Sequence, residues 1–338
     1  MNPGTRSCGQ LTTKIAEICQ RGHVKGDDRE TFRVPDARRA GVPRRWIDGD
    51  GFDRPFHGLR APRRPAPDED GFAQQRADVL RAIGHWTVHM HDAEYFSHVT
   101  AAVIWELPIP AWAAQITDLH ISSPVRAIRA RGAIGHQIKA VLATVVVHPT
   151  LGVRVTDPAT TWTMLAGMFS HLYDVVAIGD AIIRTPRIPG PNGRIERAAL
   201  ASLAQLESAA RAGRRRGAEL LREALPLIRP GSASRTESWT RLTIVEAGLP
   251  EPVLNYDVYD EAGRFVGCID LGYPDLRIAI EFEGDQHRTD PAQWQRDIEK
   301  YEQLADLGWR VVRVTRDQLF NEPSVFIARV RRLLFQAH

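Results

Sequence analysis

Asp270, Glu281, Glu283 and His287 bring carboxylates and an imidazole into one short stretch near the end of the 338-residue chain. The run Leu276 to Glu283 alternates in character, so Ile278, Ile280 and Phe282 project to one side of an extended strand and Ala279, Glu281 and Glu283 to the other. Asp270, between Ile269 and Leu271 on the preceding run, is expected on a polar side within reach of Glu281. Converging carboxylates repel one another unless a positive charge lies among them, and a hard divalent cation with oxygen ligands is the usual solution. Mg2+, or Mn2+ in its place, is therefore the expected cofactor, with Asp270 and Glu281 as ligands. After Gly284, the loop Asp285-Gln286-His287 returns an imidazole to the same region as general base or ligand.

The elements that must position these groups are legible. Ser234-Arg235-Thr236-Glu237 is a capping-box pattern opening a helix that Gly248 and Pro250 stop, so Glu237 either closes the cap or joins the acids, and the roles are compatible. Pro252 to Asp260 and Arg264 to Leu271 read as strands joined by Glu261-Ala262-Gly263, and Tyr273-Pro274-Asp275 turns the chain into the strand that carries Glu281. From Asp290-Pro291 a helix carries Trp294, Ile298, Tyr301, Leu304 and Leu307 at core spacing to a stop at Gly308. Trp309 to Val314 is a further strand beside the meander, and Pro323 to Phe335 is a closing helix.

Asp270, Glu281-Phe282-Glu283-Gly284, His287, Asp297 and Leu304 to Val312, in that order and spacing, resemble the very-short-patch mismatch-repair endonucleases and their uncharacterised relatives in the PD-(D/E)XK nuclease superfamily. The resemblance covers the last third of the chain. It implies a restriction-endonuclease-like mixed sheet flanked by helices, a helix glutamate at Glu237, metal ligands at Asp270, Glu281 and the Phe282 carbonyl, and a catalytic histidine at His287. One position departs: two residues after Glu281, where the superfamily carries lysine, stands Glu283. Lys300 on the next helix, or Arg313 on the following strand, is the candidate for a displaced cation. The implied activity is Mg2+-dependent hydrolysis of phosphodiester bonds in DNA, as a repair or defence nuclease. The alternative is a non-catalytic DNA-binding regulator of antitoxin type with a degenerate nuclease domain, and a weaker third reading is a nuclease acting on RNA.

Texture divides the chain into 1–72, polar and rich in Arg, Gly and Pro; 73–186, mixing helical and β-like runs such as Ala140 to Val147; 187–231, a linker and a helical stretch from Glu196 to Leu227; and 232–338, the domain just described. The expected class is a multidomain mixed α/β protein. Residues 35–47 have the shape of helix, glycine turn and helix with Pro at its start, and Asp53 to Arg60 would be the wing of a winged helix-turn-helix. Arg38, Arg39, Arg44 and Arg45, with Arg54 and Arg60 beside them, would then face a duplex. This front, together with Phe96 to Ala102, faintly resembles the abortive-infection antitoxin class.

Composition adds bounds. The charged fraction of 25% and hydrophobic fraction of 43% suit a globular protein, and no apolar run approaches a membrane span. The cytoplasm is the expected compartment and DNA the expected partner. Of 44 basic residues only Lys14, Lys25, Lys139 and Lys300 are lysine; arginine suits phosphate recognition, but codon bias in a GC-rich genome is the main expected cause, and arginine abundance alone decides nothing. Cys8, Cys19 and Cys268 are too scattered for a disulfide framework or a thiolate metal site. His85, His89, His91 and His98 form the densest histidine run, but without cysteine or firm ligand spacing no zinc site is expected there.

Overall fold

A computed structural model describes residues 31–63, 72–191, 193–283 and 291–336. It is a mixed α/β protein whose sheets are flanked by helices, and the chain divides into two units, one ending at Asp157 and the other beginning at Pro158 but including Leu107–Ile109. No helix among the described residues is long and apolar enough to cross a membrane.

The first unit opens with β1 (Phe32–Arg33), α1 (Val34–Arg39), α2 (Arg44–Ile47), β2 (Phe52–Asp53) and β3 (Leu59–Pro62), the strands pairing in the order β1-β3-β2. Gly41 takes a left-handed φ of 79° between the two helices, and Pro43 supplies the extended backbone from which α2 starts. Phe32, Val34, Ala37 and Ile47 close a small core beneath them. The sequence then forms α3 (Phe72–Thr87), β4 (Tyr95–Phe96), α4 (His98–Ile104), α5 (Ala111–Ala114), β5 (Leu119–Ser123), β6 (Arg129–Ala130), β7 (Ala133–Gln137), β8 (Val145–Val147) and β9 (Arg154–Thr156). These strands make one sheet of order β6-β7-β5-β4-β9-β8 around Ile83, Trp86, Phe96, Leu119, Ile121 and Val155. Ala140 to Val147 is not one strand: Ala140–Leu142 is a 3-10 turn and only Val145–Val147 pairs, as an edge against β9.

The second unit begins with α6 (Pro158–Leu165), α7 (Leu172–Ile183), α8 (Leu203–Arg211), α9 (Ala218–Ala224) and α10 (Arg235–Glu246). The stretch from Glu196 to Leu227 is thus two helices, parted where Gly213 and Gly217 take positive φ. The expected segment 73–186 is shared between the units for a physical reason. Asp180 of α7 and Arg241 of α10 are both fully buried and meet at 3.1 Å, and a charge so buried needs its partner inside the same core.

A four-stranded sheet follows, β10 (Val253–Tyr259), β11 (Phe265–Tyr273), β12 (Ile278–Glu283) and β13 (Arg310–Thr315), ordered as numbered; the first three run antiparallel and β13 is parallel to β12. The connection from β12 to β13 carries α11 (Pro291–Asp306), and α12 (Arg316–Phe320) and α13 (Pro323–Phe335) end the chain. One sheet face packs Ile278, Ile280, Val312 and Val314 against Ile244, Leu319, Phe326 and Val330; the other packs Ile269 and Ala279 against Leu304 of α11. Each aliphatic side chain so buried contributes about 1.5–3 kcal/mol, so the strands that carry the acids are fixed from both faces.

Candidate active site

The acids enter from three elements. Ser234 caps α10, its Oγ accepting the Glu237 N–H at 3.1 Å, but the capping box is not closed. The Glu237 carboxylate accepts instead from the Ala233 N–H at 2.7 Å and from Asn255 Nδ2 at 3.1 Å. Asn255 sits in β10 with φ of 48°, a left-handed conformation that asparagine tolerates better than most residues, and it also donates to the Gly231 carbonyl. The helix glutamate is thereby tied to the sheet.

Asp270 stands opposite Asn255, between the cross-strand pairs Leu254↔Leu271 and Tyr256↔Ile269. Its apolar neighbours do not share a face as simple alternation predicts: Ile269 packs with Ala279 and Leu304, whereas Leu271 packs with Ile278 and Ile280. The strand therefore changes face at Asp270. The β11–β12 ladder reaches Leu271↔Ile280, and at the next step Asp270 Oδ2 accepts the Phe282 N–H at 3.1 Å. Because the N–H and C=O of a strand residue point to the same side, the Phe282 carbonyl is turned toward β11 as well.

Glu281 projects with Ala279 toward α11, as its alternation predicts, and Lys300 Nζ donates to Glu281 Oε1 at 2.8 Å. Gly267 of β11 makes room for that lysine, since a Cβ there would lie 3.0 Å from Lys300 Cγ and 3.1 Å from Cδ. Of the two candidate cations, Lys300 of α11 is the one that pairs with Glu281. Arg313, the other candidate, pairs with Glu283 and lies with its guanidinium carbon 4.8 Å from the centre of the Tyr301 ring.

Burial, then the field of Asp270, raise Glu237 to about 7; hydrogen bonds from Ala233, Ser234 and Asn255 oppose the rise. The same two causes raise Glu281 to about 8 against the pull of Lys300. Asp270 is the common neighbour whose charge both glutamates feel. Glu237, Asp270 and Glu281 do not bring three oxygens within 4.8 Å of one another; among the described residues, the group of three ligand-bearing side chains that does so is His98, His120 and His136. The hard oxygens of Asp270 and Glu281, with the Phe282 carbonyl turned toward β11, fit Mg2+ or Mn2+ in donor chemistry, and a cation there would offset the penalty that burial and Asp270 place on a charged Glu281. Glu237 is committed to Ala233 and Asn255. His287 lies outside the described residues.

In the first unit Arg38, Arg39, Arg44 and Arg45 are all exposed. Arg39 pairs with Asp36 at 2.5 Å and Arg44 with Asp48 at 3.3 Å. Arg60 is not among the exposed cations: it is buried, donating to the carbonyls of Ile47 and Leu59 and, at 2.7 Å, to the Asp48 carboxylate. It braces α2 against β3. Cys268 is half-buried and free, with its thiol pushed up to about 12 chiefly by burial, and Cys8 and Cys19 lie outside the described residues.

Asn255 and Gly267 were not singled out by residue type. A glycine inside an otherwise apolar strand is the signal that marks Gly267, because it points to a close approach by another group.

The chain is similar to two uncharacterised proteins of Mycobacterium tuberculosis, Uncharacterized protein Rv2248 of strain H37Rv and Uncharacterized protein MT2308 of strain CDC 1551. Each is 35% identical over 123 residues, which is 36% of this chain and 45% of the relative. The match therefore spans less than half the length of these relatives. No family model matches the chain, and no solved structure matches it.

Proposed function

We propose that the second unit is a metal-dependent endonuclease that hydrolyses phosphodiester bonds in DNA. The observation that carries this reading is the placing of Lys300 Nζ 2.8 Å from Glu281, beside Asp270, on a sheet whose strand order and parallel last pair suit the restriction-endonuclease-like expectation. The lysine that Glu283 replaces in the strand has a substitute on the helix.

In such a hydrolysis the oxygen of water bonds to phosphorus, the bond from phosphorus to the leaving sugar oxygen breaks, the attacking water gives up a proton to a base or to solvent, and the leaving oxygen takes one up to become a hydroxyl. Asp270, Glu281 and the Phe282 carbonyl would hold Mg2+ or Mn2+, which when bound would supply positive charge to the phosphoryl oxygens. Lys300 adds a fixed ammonium next to the same oxygens, in a setting where burial strengthens its field. Glu237, held near neutrality, exchanges protons readily at physiological pH and through Asn255 keeps the helix in register with β10. In the first unit the exposed Arg38, Arg39, Arg44 and Arg45 of α1 and α2 are assigned to duplex phosphates.

The test is incubation of the purified chain with supercoiled plasmid and with mismatched duplexes in Mg2+ or Mn2+, with Asp270→Asn and Lys300→Met alongside. Nicked and linear products from the wild type, reduced about 100-fold or more in either variant, are expected. Equal nicking by wild type and Asp270→Asn removes the reading. The charge reversal at Glu283 favours the second reading, a non-cleaving DNA-binding regulator; salt-sensitive duplex binding without metal-dependent products would establish that one instead.

A further inference from the structure

Three histidines scattered over 39 positions of sequence meet inside the first unit, and of the conspicuous histidine run only His98 is among them. β5 and β7 are parallel neighbours in which Ser122 stands opposite His136, so His120, two residues before Ser122, shares a sheet face with both. His98 opens α4 directly after β4, with φ of 50°, a conformation seldom taken by a residue with a side chain. Hydroxyls hold the His98 ring and the His120 backbone: Ser97 Oγ lies 2.9 Å from His98 Nδ1 and 2.7 Å from Ser122 Oγ, while Thr100 Oγ1 accepts the His120 backbone N–H at 2.7 Å. The His98 and His136 rings stack with centroids 3.9 Å apart, and His120 Nδ1 lies 2.9 Å from His136 Nε2. One nitrogen from each ring lies within 4.8 Å of the others.

This arrangement is unsatisfied as a purely structural one. His120 is 2% exposed, and its Nε2 is buried with no hydrogen-bond partner. An ion bound at the Nδ1 that faces His136 would fix the proton on Nε2, so the buried Nε2 sets the tautomer in question and is not itself the atom that the ion would satisfy. Nothing acidic belongs to the group to explain why three imidazoles crowd together. Burial, and for His98 and His120 the neighbouring rings, depress the imidazoles below their usual range, which leaves their lone pairs free at neutral pH.

The geometry points to a transition-metal site of the zinc class, with His98, His120 and His136 as ligands and a fourth position left for water or a substrate atom. Three imidazoles and no carboxylate or thiolate suit Zn2+, or Co2+ in its place, and do not suit Mg2+ or Ca2+, which take oxygens. At metal–nitrogen bonds of about 2.0–2.1 Å a tetrahedral ion sets nitrogens about 3.3 Å apart, so the 2.9 Å between His120 and His136 has only a few tenths of an ångström to open. The near-parallel rings turn about their χ2 angles to converge. Ser97 takes the second nitrogen of His98, the kind of outer partner that orients a ligating histidine.

The experiment strips the full chain with a chelator and titrates it with Co2+, following visible absorption, and with Zn2+, following the melting temperature. The wild type is expected to develop nitrogen-ligated Co2+ bands that saturate at one equivalent, and to melt higher with Zn2+. His136→Gln, at a half-buried position where the change is mild, should lose both responses while keeping the far-UV circular dichroism of the wild type. Asp270→Asn, in the other unit, should keep both, which separates this site from the acidic one. No saturable Co2+ spectrum in the wild type, or the same spectrum in His136→Gln and in His120→Gln, overturns the inference.

Discussion

Lys300 reaches Glu281 at 2.8 Å from the face of α11, so the ammonium beside this strand carboxylate is delivered by a helix. Removing it in Lys300→Met leaves Glu281 buried and subject to Asp270 alone, and its titration moves above the value of about 8 that it has with the lysine present. The variant should match the wild type near pH 6, where Glu281 is protonated in both, and be less stable by about 1–3 kcal/mol near pH 9. Urea denaturation at the two pH values measures this. A loss of equal size at both would show that packing of the lysine stem matters and its charge does not.

Gly267→Ala tests the same lysine from below. The new Cβ would meet Lys300 Cγ at 3.0 Å and push the stem off β11. Overpacking of this kind costs about 1–3 kcal/mol, and plasmid nicking should fall further than stability does. Full nicking with wild-type stability would mean that the lysine relocates without consequence.

Two glutamates titrate far above their ordinary range, which gives the second unit an inverted pH dependence. Glu237 and Glu281 titrate near 4.5 when unfolded but at about 7 and about 8 when folded. Between those limits the folded state holds more protons than the unfolded one, so stability falls as pH rises, by up to about 1.4 kcal/mol per pH unit for each group. In chelator, denaturation midpoints should decline from about pH 5 to about pH 8. Added Mn2+ should flatten or reverse the slope, because a cation binds the deprotonated acids. A chelator-treated protein that gains stability over that interval contradicts the assignment of these two groups.

Asn255 combines a left-handed backbone with hydrogen bonds to Glu237 and Gly231. Asn255→Gly keeps the conformation and loses the bonds; Asn255→Ala loses both, and a Cβ in that region costs about 1–2 kcal/mol. Melting temperatures should rank wild type, then Asn255→Gly, then Asn255→Ala. If the alanine variant equals the glycine one, the backbone has relaxed and the strand pairing around Asp270 has shifted with it.

For α1 and α2 the prediction concerns salt. Arg38 and Arg45 are exposed, whereas Arg39 and Arg44 already pair with Asp36 and Asp48. Alanine at Arg38 and Arg45 should weaken duplex binding and lower the slope of log affinity against log salt by about 0.9 for every phosphate that is no longer neutralised. Alanine at Arg39 and Arg44 should have the smaller effect. An unchanged slope in all of them takes these helices off the duplex.

Much of the second unit could be read from local signals. Ser234, Gly248, Gly263, Gly308 and Pro323 mark ends that the backbone uses, and the alternation from Ile278 to Glu283 sets Glu281 on the face toward α11. What could not be read depends on pairing between distant segments. Nothing local tells that Ile269 and Leu271 part company at Asp270, that Glu237 turns to Ala233 instead of Ser234, or that Arg60 is consumed by Ile47 and Asp48. The histidines show the same limit: His98 belongs to a visible run, but His120 and His136 are single residues on strands whose parallel register alone brings them to it.

The route by which the ammonium arrives has a bearing on how such proteins are found. Glu283 pairs with its own neighbour Arg313, while the lysine reaches Glu281 from the helix. If the second unit acts as proposed, a pattern that demands a basic residue two places after the strand acid would pass over it. Only a comparison of which groups stand near one another in space, blind to the element that carries each, recovers the pairing.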